Sequence, residues 1–266
     1  MKATYKNMKK RTVLLISGGG TTAEAVIKAV QQGKIDQVEI VGVIASRNDA
    51  PGIAKAQLLG IRTFALENEV VKSQAKLAEN LHTLFQFLQP DIISQNGWLP
   101  HTPVTVVRSY AGKIINQHPG PLDPGRSDFG GKGMYGIRVT CARVAFAWLT
   151  GEQNPWIEAT THIVTAEYDQ GNLLRVIKLP FASVRKTPSP ADILAQSEKL
   201  REISCQLQSQ LLPLEHENVI KTIKMLIQEP QTTGFKRTQP LISSRYLHLL
   251  QPAKDIAIQL FPAGYL

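Results

Sequence analysis

Apolar and polar positions along the first half of the chain follow two alternating periods. "TVLLIS" (12–17) is an unbroken apolar run, the pattern of a strand buried on both faces. After three glycines, Ala23, Val26, Ile27 and Val30 recur at helical spacing, and Gly33 marks the stop. "VEIVGVIAS" reads as a second strand, "GIAKAQLLG" as a short helix closed by Gly60, and "IRTFAL" as a third strand. Leu77, Leu81, Leu84, Phe85 and Leu88 form an apolar stripe on a helix that Pro90 ends. "DIISQNGWL" and "KIINQH" are two more strands. Such alternation predicts an α/β fold with a doubly wound, mostly parallel, Rossmann-like sheet.

The second half changes character. "GIRVTCARVAFAWLTGE" has a helical pattern, and "ATTHIVTAE" and "LLRVIKLPF" are β-type runs joined by the turn-rich "YDQGN", which predicts an antiparallel hairpin. Charged helical stretches run from Pro190 to Leu212 and from Glu215 to Ile227. Beyond them Pro240, Pro252 and Pro262 interrupt an apolar tail without a clear period, suited either to packing on the core or to meeting a partner. The pattern therefore divides the chain into a catalytic-type domain (1–188), C-terminal helices packing on it (189–230) and an extension of open role (231–266).

Composition narrows the class. A chain of 266 residues with 43% hydrophobic and 19% charged residues can bury a substantial core, and it has no apolar run of membrane-spanning length. The opening "MKATYKNMKKRTVLLISGGG" is basic and then apolar, but "VLLI" is too short for a secretory core and reads as a first strand. Cys141 and Cys205 form no metal or redox spacing, which fits a reducing, cytoplasmic setting. The net charge of +9 is concentrated partly in "KATYKNMKKR" and comes with no nucleic-acid-binding motif. It is read as a surface that attracts small anionic substrates rather than as a nucleic-acid face.

Three segments carry candidate chemistry. In "LLISGGGTTAEAV", Gly18 and Gly20 lead a strand into a helix whose first N–H groups can bind an anion, with Thr21 or Thr22 as cap and phosphate donor. A plain tight turn explains the same residues, and the spacing is neither the dinucleotide fingerprint nor the P-loop. In "KIINQHPGPLDPG", Asn116 and His118 project from one face at a strand's carboxyl end, where open α/β sheets gather ligands. An amide donor beside an imidazole suits a developing oxyanion, or else simply fastens the following loop. Asp169 lies in a turn, where Asp is common for local reasons, and brought to His118 it would favour the imidazolium form. His162 stands on a defined strand face, as a supporting group or a core histidine.

Taken together, "VLLISGGGTT", "IINQHPGPLDP" with "GGKGMYGIRV", and "ATTHIVTAEYDQGN" resemble the folate-dependent formyltransferase family, most closely its branch acting on glycinamide ribonucleotide in purine synthesis. The similarity covers roughly residues 11 to 185. It implies the formyltransferase-type fold and transfer of a formyl group from 10-formyltetrahydrofolate, as co-substrate, to a primary amine, with no metal. It further implies Asn116 and a protonated His118 as oxyanion stabilisers, with Asp169 sustaining the His118 charge and helping to move the proton. By the same resemblance Gly18, Gly20, Thr21 and Thr22 hold the phosphate of a small phosphorylated amine. The folate pocket falls on Trp98, Leu99 and Pro100 and on Ala166, Glu167 and Tyr168. The chain departs from the family pattern at Gly19, Pro100 and Thr140, which bears on the acceptor. A formyltransferase for an amino sugar nucleotide or aminoacyl-tRNA, and a non-catalytic ligand-binding relative, are the alternatives. The sequence leaves the oligomeric state open.

Overall fold

The computed structural model describes residues 9–182, 186, 187 and 189–264. Most of the basic N-terminal stretch therefore lies outside the described residues. Seven strands form one sheet: β1 (Lys10–Ile16), β2 (Val38–Ala45), β3 (Thr63–Ala65), β4 (Ile92–Gln95), β5 (Ile114–His118), β6 (Trp156–Ile163) and β7 (Leu173–Pro180). Their order is β3-β2-β1-β4-β5-β6-β7. The doubly wound, mostly parallel sheet with a late antiparallel pair is thus as the apolar pattern predicts. The helices are α1 (Thr21–Gln31), α2 (Pro51–Leu58), α3 (Asn68–Val71), α4 (Gln74–Leu88), α5 (Val104–Ser109), α6 (Ile137–Thr150), α7 (Pro190–Leu194), α8 (Ser197–Gln228) and α9 (Leu250–Leu260).

The residues cluster into two compact units. One comprises the chain up to Asn116 with Ile163–Ala166 and Val219–Thr232; the other comprises Gln117–His162, Glu167–Asn218 and the chain from Thr233. In the first unit β2, β1, β4 and β5 pair in parallel, and the apolar run Val13–Ile16 of β1 is buried because helices cover both faces of such a sheet. Leu77, Leu81, Phe85 and Leu88 of α4 are all buried in a cluster with Val13, Leu15, Ile44 and Ile93. Each such side chain contributes roughly 1.5–3 kcal/mol by leaving water. Chain order reverses between β1 and β4, so the loops after these two strands meet at the topological switch point.

In the second unit α6, helical as the sequence pattern indicates, is buried along its whole length. Strands β6 and β7 pair antiparallel, with a register shift between Thr161 and His162. Such irregularities re-aim a side chain. The tail without a clear period contains a 3-10 turn (Ser244–Leu249) and α9, whose Ala253, Ile256, Ala257 and Leu260 pack in the same apolar cluster as α6. Arg237 bonds the Leu122 carbonyl at 2.7 Å and pairs with buried Glu158, so the extension is built into this unit. The expected break between two charged helices does not occur. Helix α8 runs continuously through Pro213, whose missing N–H leaves one turn without its usual hydrogen bond. Among the described residues no helix is long and apolar enough to cross a membrane.

Candidate active site

Strand β5 delivers Asn116 and His118 to one face, two positions apart, as strand alternation requires. Asn116 is half-buried and His118 is buried. Gln117, aimed the other way, accepts from Thr161 at 3.0 Å and reaches Glu215 at 3.5 Å, so it belongs to the interior.

The chain then turns at Pro119 and brings Asp169, fifty-one positions later, to the imidazole. The His118 Nδ1 to Asp169 Oδ2 distance is 3.8 Å, and His162 Nε2 stands 3.4 Å from Asp169 Oδ1. The Gly131 N–H donates to Asp169 Oδ2 at 2.8 Å. One buried carboxylate is therefore flanked by two histidine rings and a backbone donor. Asp169 adopts φ 56, a left-handed conformation costly for most residues and tolerated by Asp and Asn. His162 is a neighbour of this carboxylate, not merely a core residue, and the register shift at Thr161/His162 helps place it.

Electrostatics decide the resting protonation. Burial pushes the His118 pKa down to about 4, and the nearby Asp169 carboxylate raises it only in part. Burial therefore disfavours the imidazolium that the resemblance implies, and the single carboxylate offsets that only in part. Asp169 itself is held ionised. Burial would raise its pKa, but His118, His162 and the Gly131 N–H together outweigh that and lower it. The ring of His118 also hydrogen-bonds the Phe129 backbone, a contact that favours the protonated ring and so has the ring N–H donating. Nε2 is buried with no partner among the described residues. Nδ1 is thus the donor, and Nε2 presents a lone pair beside Gly120, where an added Cβ would stand 3.6 Å away.

The glycine loop is built by close backbone approach. Gly20 has φ 63, and a Cβ on it would lie 2.8 Å from the Gly52 Cα of α2. Gly52 N–H bonds the Gly18 carbonyl at 3.1 Å. Neither Thr21 nor Thr22 caps α1, as the sequence led us to expect; Gly20 is the cap residue and makes no side-chain bond. The reason is geometric, since the left-handed turn at Gly20 places both threonines inside the first helical turn. Ser17, which the sequence did not single out, accepts from the Ser46 hydroxyl at 2.7 Å and from the Leu99 N–H at 2.9 Å. It thereby ties the loop after β1 to the loop after β4.

That second loop holds the expected folate segment. Trp98 is buried in the core of its unit, whereas Leu99 is 40% exposed and Pro100 is half-buried. His101 Nε2 bonds the Ala166 carbonyl at 2.9 Å, joining the two segments in which folate contacts are expected. Glu167 and Tyr168 are exposed. Among the described residues no group of three or more His, Cys, Asp or Glu is arranged to hold a metal ion. Thr140, one of the departures from the family pattern, is fully buried and donates to Gln208 at 2.6 Å.

Residues 10–190 match the family model described as formyl transferase. The chain belongs to the formyl transferase family. Within it, the chloroplastic phosphoribosylglycinamide formyltransferase of Vigna unguiculata is 24% identical over 92% of this chain and 69% of its own length. The phosphoribosylglycinamide formyltransferase of Escherichia coli (strain K12) is 30% identical over 110 residues, 41% of this chain and about half (51%) of the relative. Among solved structures, the phosphoribosylglycinamide formyltransferase of Coxiella burnetii, in complex with CHES, superposes with a TM-score of 0.55 at 28% identity. That match covers 78% of this chain and 82% of the other. The loop after β5, the His118–Asp169 pair and the glycine loop all fall inside the part of this formyl transferase that the family model matches.

Proposed function

We propose that this formyl transferase passes the formyl group of 10-formyltetrahydrofolate to the primary amine of glycinamide ribonucleotide. The observation that carries the chemistry is a buried His118, its Nε2 without a partner among the described residues, with its Nδ1 3.8 Å from the buried Asp169 carboxylate. The acceptor is taken from the named relatives, and cytoplasmic residence fits the two free cysteines.

The co-substrate supplies an activated formyl carbon. As the amine nitrogen bonds to that carbon, the formyl oxygen gains negative charge and the nitrogen becomes positive. Asn116 donates an N–H to the oxygen, an interaction worth roughly 3 kcal/mol when aimed at developing charge. His118 accepts the amine proton at Nε2. Asp169 stabilises the imidazolium as it forms and so offsets part of the cost that burial puts on the charged ring. The same ring returns the proton to the folate nitrogen as the bond from that nitrogen to the formyl carbon breaks. Gly18 and Gly20 open the backbone at the start of α1, where N–H groups and the helix dipole favour the acceptor's phosphate, with the Thr21 and Thr22 hydroxyls beside it. Leu99, Pro100, Ala166, Glu167 and Tyr168 offer the accessible surface and backbone for the pterin.

An acceptor screen with 10-formyltetrahydrofolate tests this, comparing glycinamide ribonucleotide, an amino sugar nucleotide and charged tRNA. Formylation of glycinamide ribonucleotide by at least tenfold over the others is the expected result. Formylation of another amine would transfer the mechanism to that acceptor, and conversion of none would leave only a ligand-binding relative.

A further inference from the structure

The tail beyond residue 231 reaches the proposed catalytic carboxylate through one lysine. Helix α9 is anchored by Ala253, Ile256, Ala257 and Leu260, all buried. From this footing Lys254 Nζ donates to the Gly130 carbonyl at 2.9 Å. The Gly130 carbonyl and the Gly131 N–H belong to one peptide group, and that N–H is the one bonded to Asp169 Oδ2 at 2.8 Å. A trans peptide is planar and its C=O and N–H point in opposite directions, so fixing the carbonyl fixes the donor. Glycine stands on both sides of this peptide, and Gly131 has φ 101, so side chains place little restraint on its rotation. Gly130 is also pressed close to its neighbours: a Cβ there would lie 2.6 Å from Leu122 Cδ2 and 2.8 Å from Asp169 Cβ.

We infer that Lys254 is a positioning residue that clamps the Gly130–Gly131 peptide so that its N–H holds Asp169 against His118. The lysine is partly buried and faces two carboxylates, Asp128 and Asp169. Asp128 in turn accepts from the Gly130 N–H at 2.8 Å, which secures the preceding peptide. The groups whose charge reaches His118 are Asp169, His162 and Lys254 itself. A charged donor polarises the peptide it grips, which strengthens the hydrogen bond on the other side. The C-terminal extension is thereby part of the machinery that sets the carboxylate.

The kinetic arm of the test rests on the proposed roles of His118 and Asp169; the spectroscopic arm does not. In the full chain, Lys254→Met keeps the apolar stem and removes the donor, while Lys254→Arg keeps a cationic donor. The Gly131 amide resonance of the parent should be shifted downfield and protected from exchange by the carboxylate. Lys254→Met should abolish both signatures and Lys254→Arg should keep them, with melting temperatures unchanged in both. In formyl transfer, Lys254→Met should lower kcat about ten- to a hundredfold with KM for both substrates within twofold, and Lys254→Arg should recover most of it. An unaltered Gly131 amide in Lys254→Met overturns the clamp. An altered amide with unchanged kcat overturns its importance for transfer. Should the parent transfer no formyl group at all, the amide result still decides the clamp.

Discussion

Replacing Asp169 by Asn removes one unit of charge and almost no volume. Asn accepts the left-handed φ 56 at this position at least as readily as Asp, and its amide oxygen can still accept the Gly131 N–H. The backbone cost is therefore close to zero, and the change is almost purely electrostatic. At the observed 3.8 Å, and with an effective dielectric of about 20, a carboxylate stabilises an imidazolium by about 4 kcal/mol. The proposed transfer develops that imidazolium only as the amine attacks, so the loss falls on the barrier. A barrier raised by about 4 kcal/mol is a drop in kcat of about a thousandfold. Steady-state formyl transfer with saturating 10-formyltetrahydrofolate measures it, with circular dichroism melting as the control for fold. A kcat within tenfold of the parent's, in a variant that melts normally, would refute the role assigned to the carboxylate.

Two buried groups should tilt stability against pH in opposite senses. His118, depressed to about 4, lends stability that is complete above about 6.5 and lost as pH falls toward 4, because only the unfolded ring takes up protons there. Glu215, pushed up to about 7 by burial, lends stability that is complete below about 4.5 and lost as pH rises through 7. Each window is worth about 3 kcal/mol, so the parent's urea midpoint should vary little from pH 4.5 to 6.5. Glu215→Gln should leave stability rising with pH in that range, and His118→Asn should leave it falling; parallel slopes in the two variants would reject the assignments. An NMR titration of the His118 ring should give a midpoint near 4, and one at or above 6.5 would restore a charged resting imidazole. Gly130→Ala should lower stability by about 1–3 kcal/mol and displace Asp169, cutting kcat, because its Cβ has 2.6 Å of room; kinetics like the parent's would show the loop yields harmlessly. Gly20→Ala, with φ 63 and Gly52 Cα at 2.8 Å, should raise KM for the phosphorylated acceptor far more than for the folate, and equal shifts would count against the phosphate assignment.

What the sequence determined by itself is what depends on near neighbours along the chain. The strand at "TVLLIS" is legible because burial on both faces demands a continuous apolar run, and α4 because its stripe repeats every third or fourth position. The alternation of Asn116 and His118 follows from strand geometry, and the motif order carries the family. Other features were hidden. The two charged stretches, read as separate helices, form one continuous α8 that runs through Pro213. Trp98, placed with the folate segment by its position, turns its ring into the core.

Only the tertiary structure decided how far the His118 ring is removed from water, which pushes its pKa down, since no local pattern of residues specifies burial. It also decided which groups surround Asp169. His162 arrives through a shift in strand register, and Lys254 reaches the same carboxylate through a glycine peptide more than a hundred positions away. Contacts of that separation leave no period in the chain. They arise when apolar burial brings α9 onto α6, and the polar site is set by what that packing happens to place beside it.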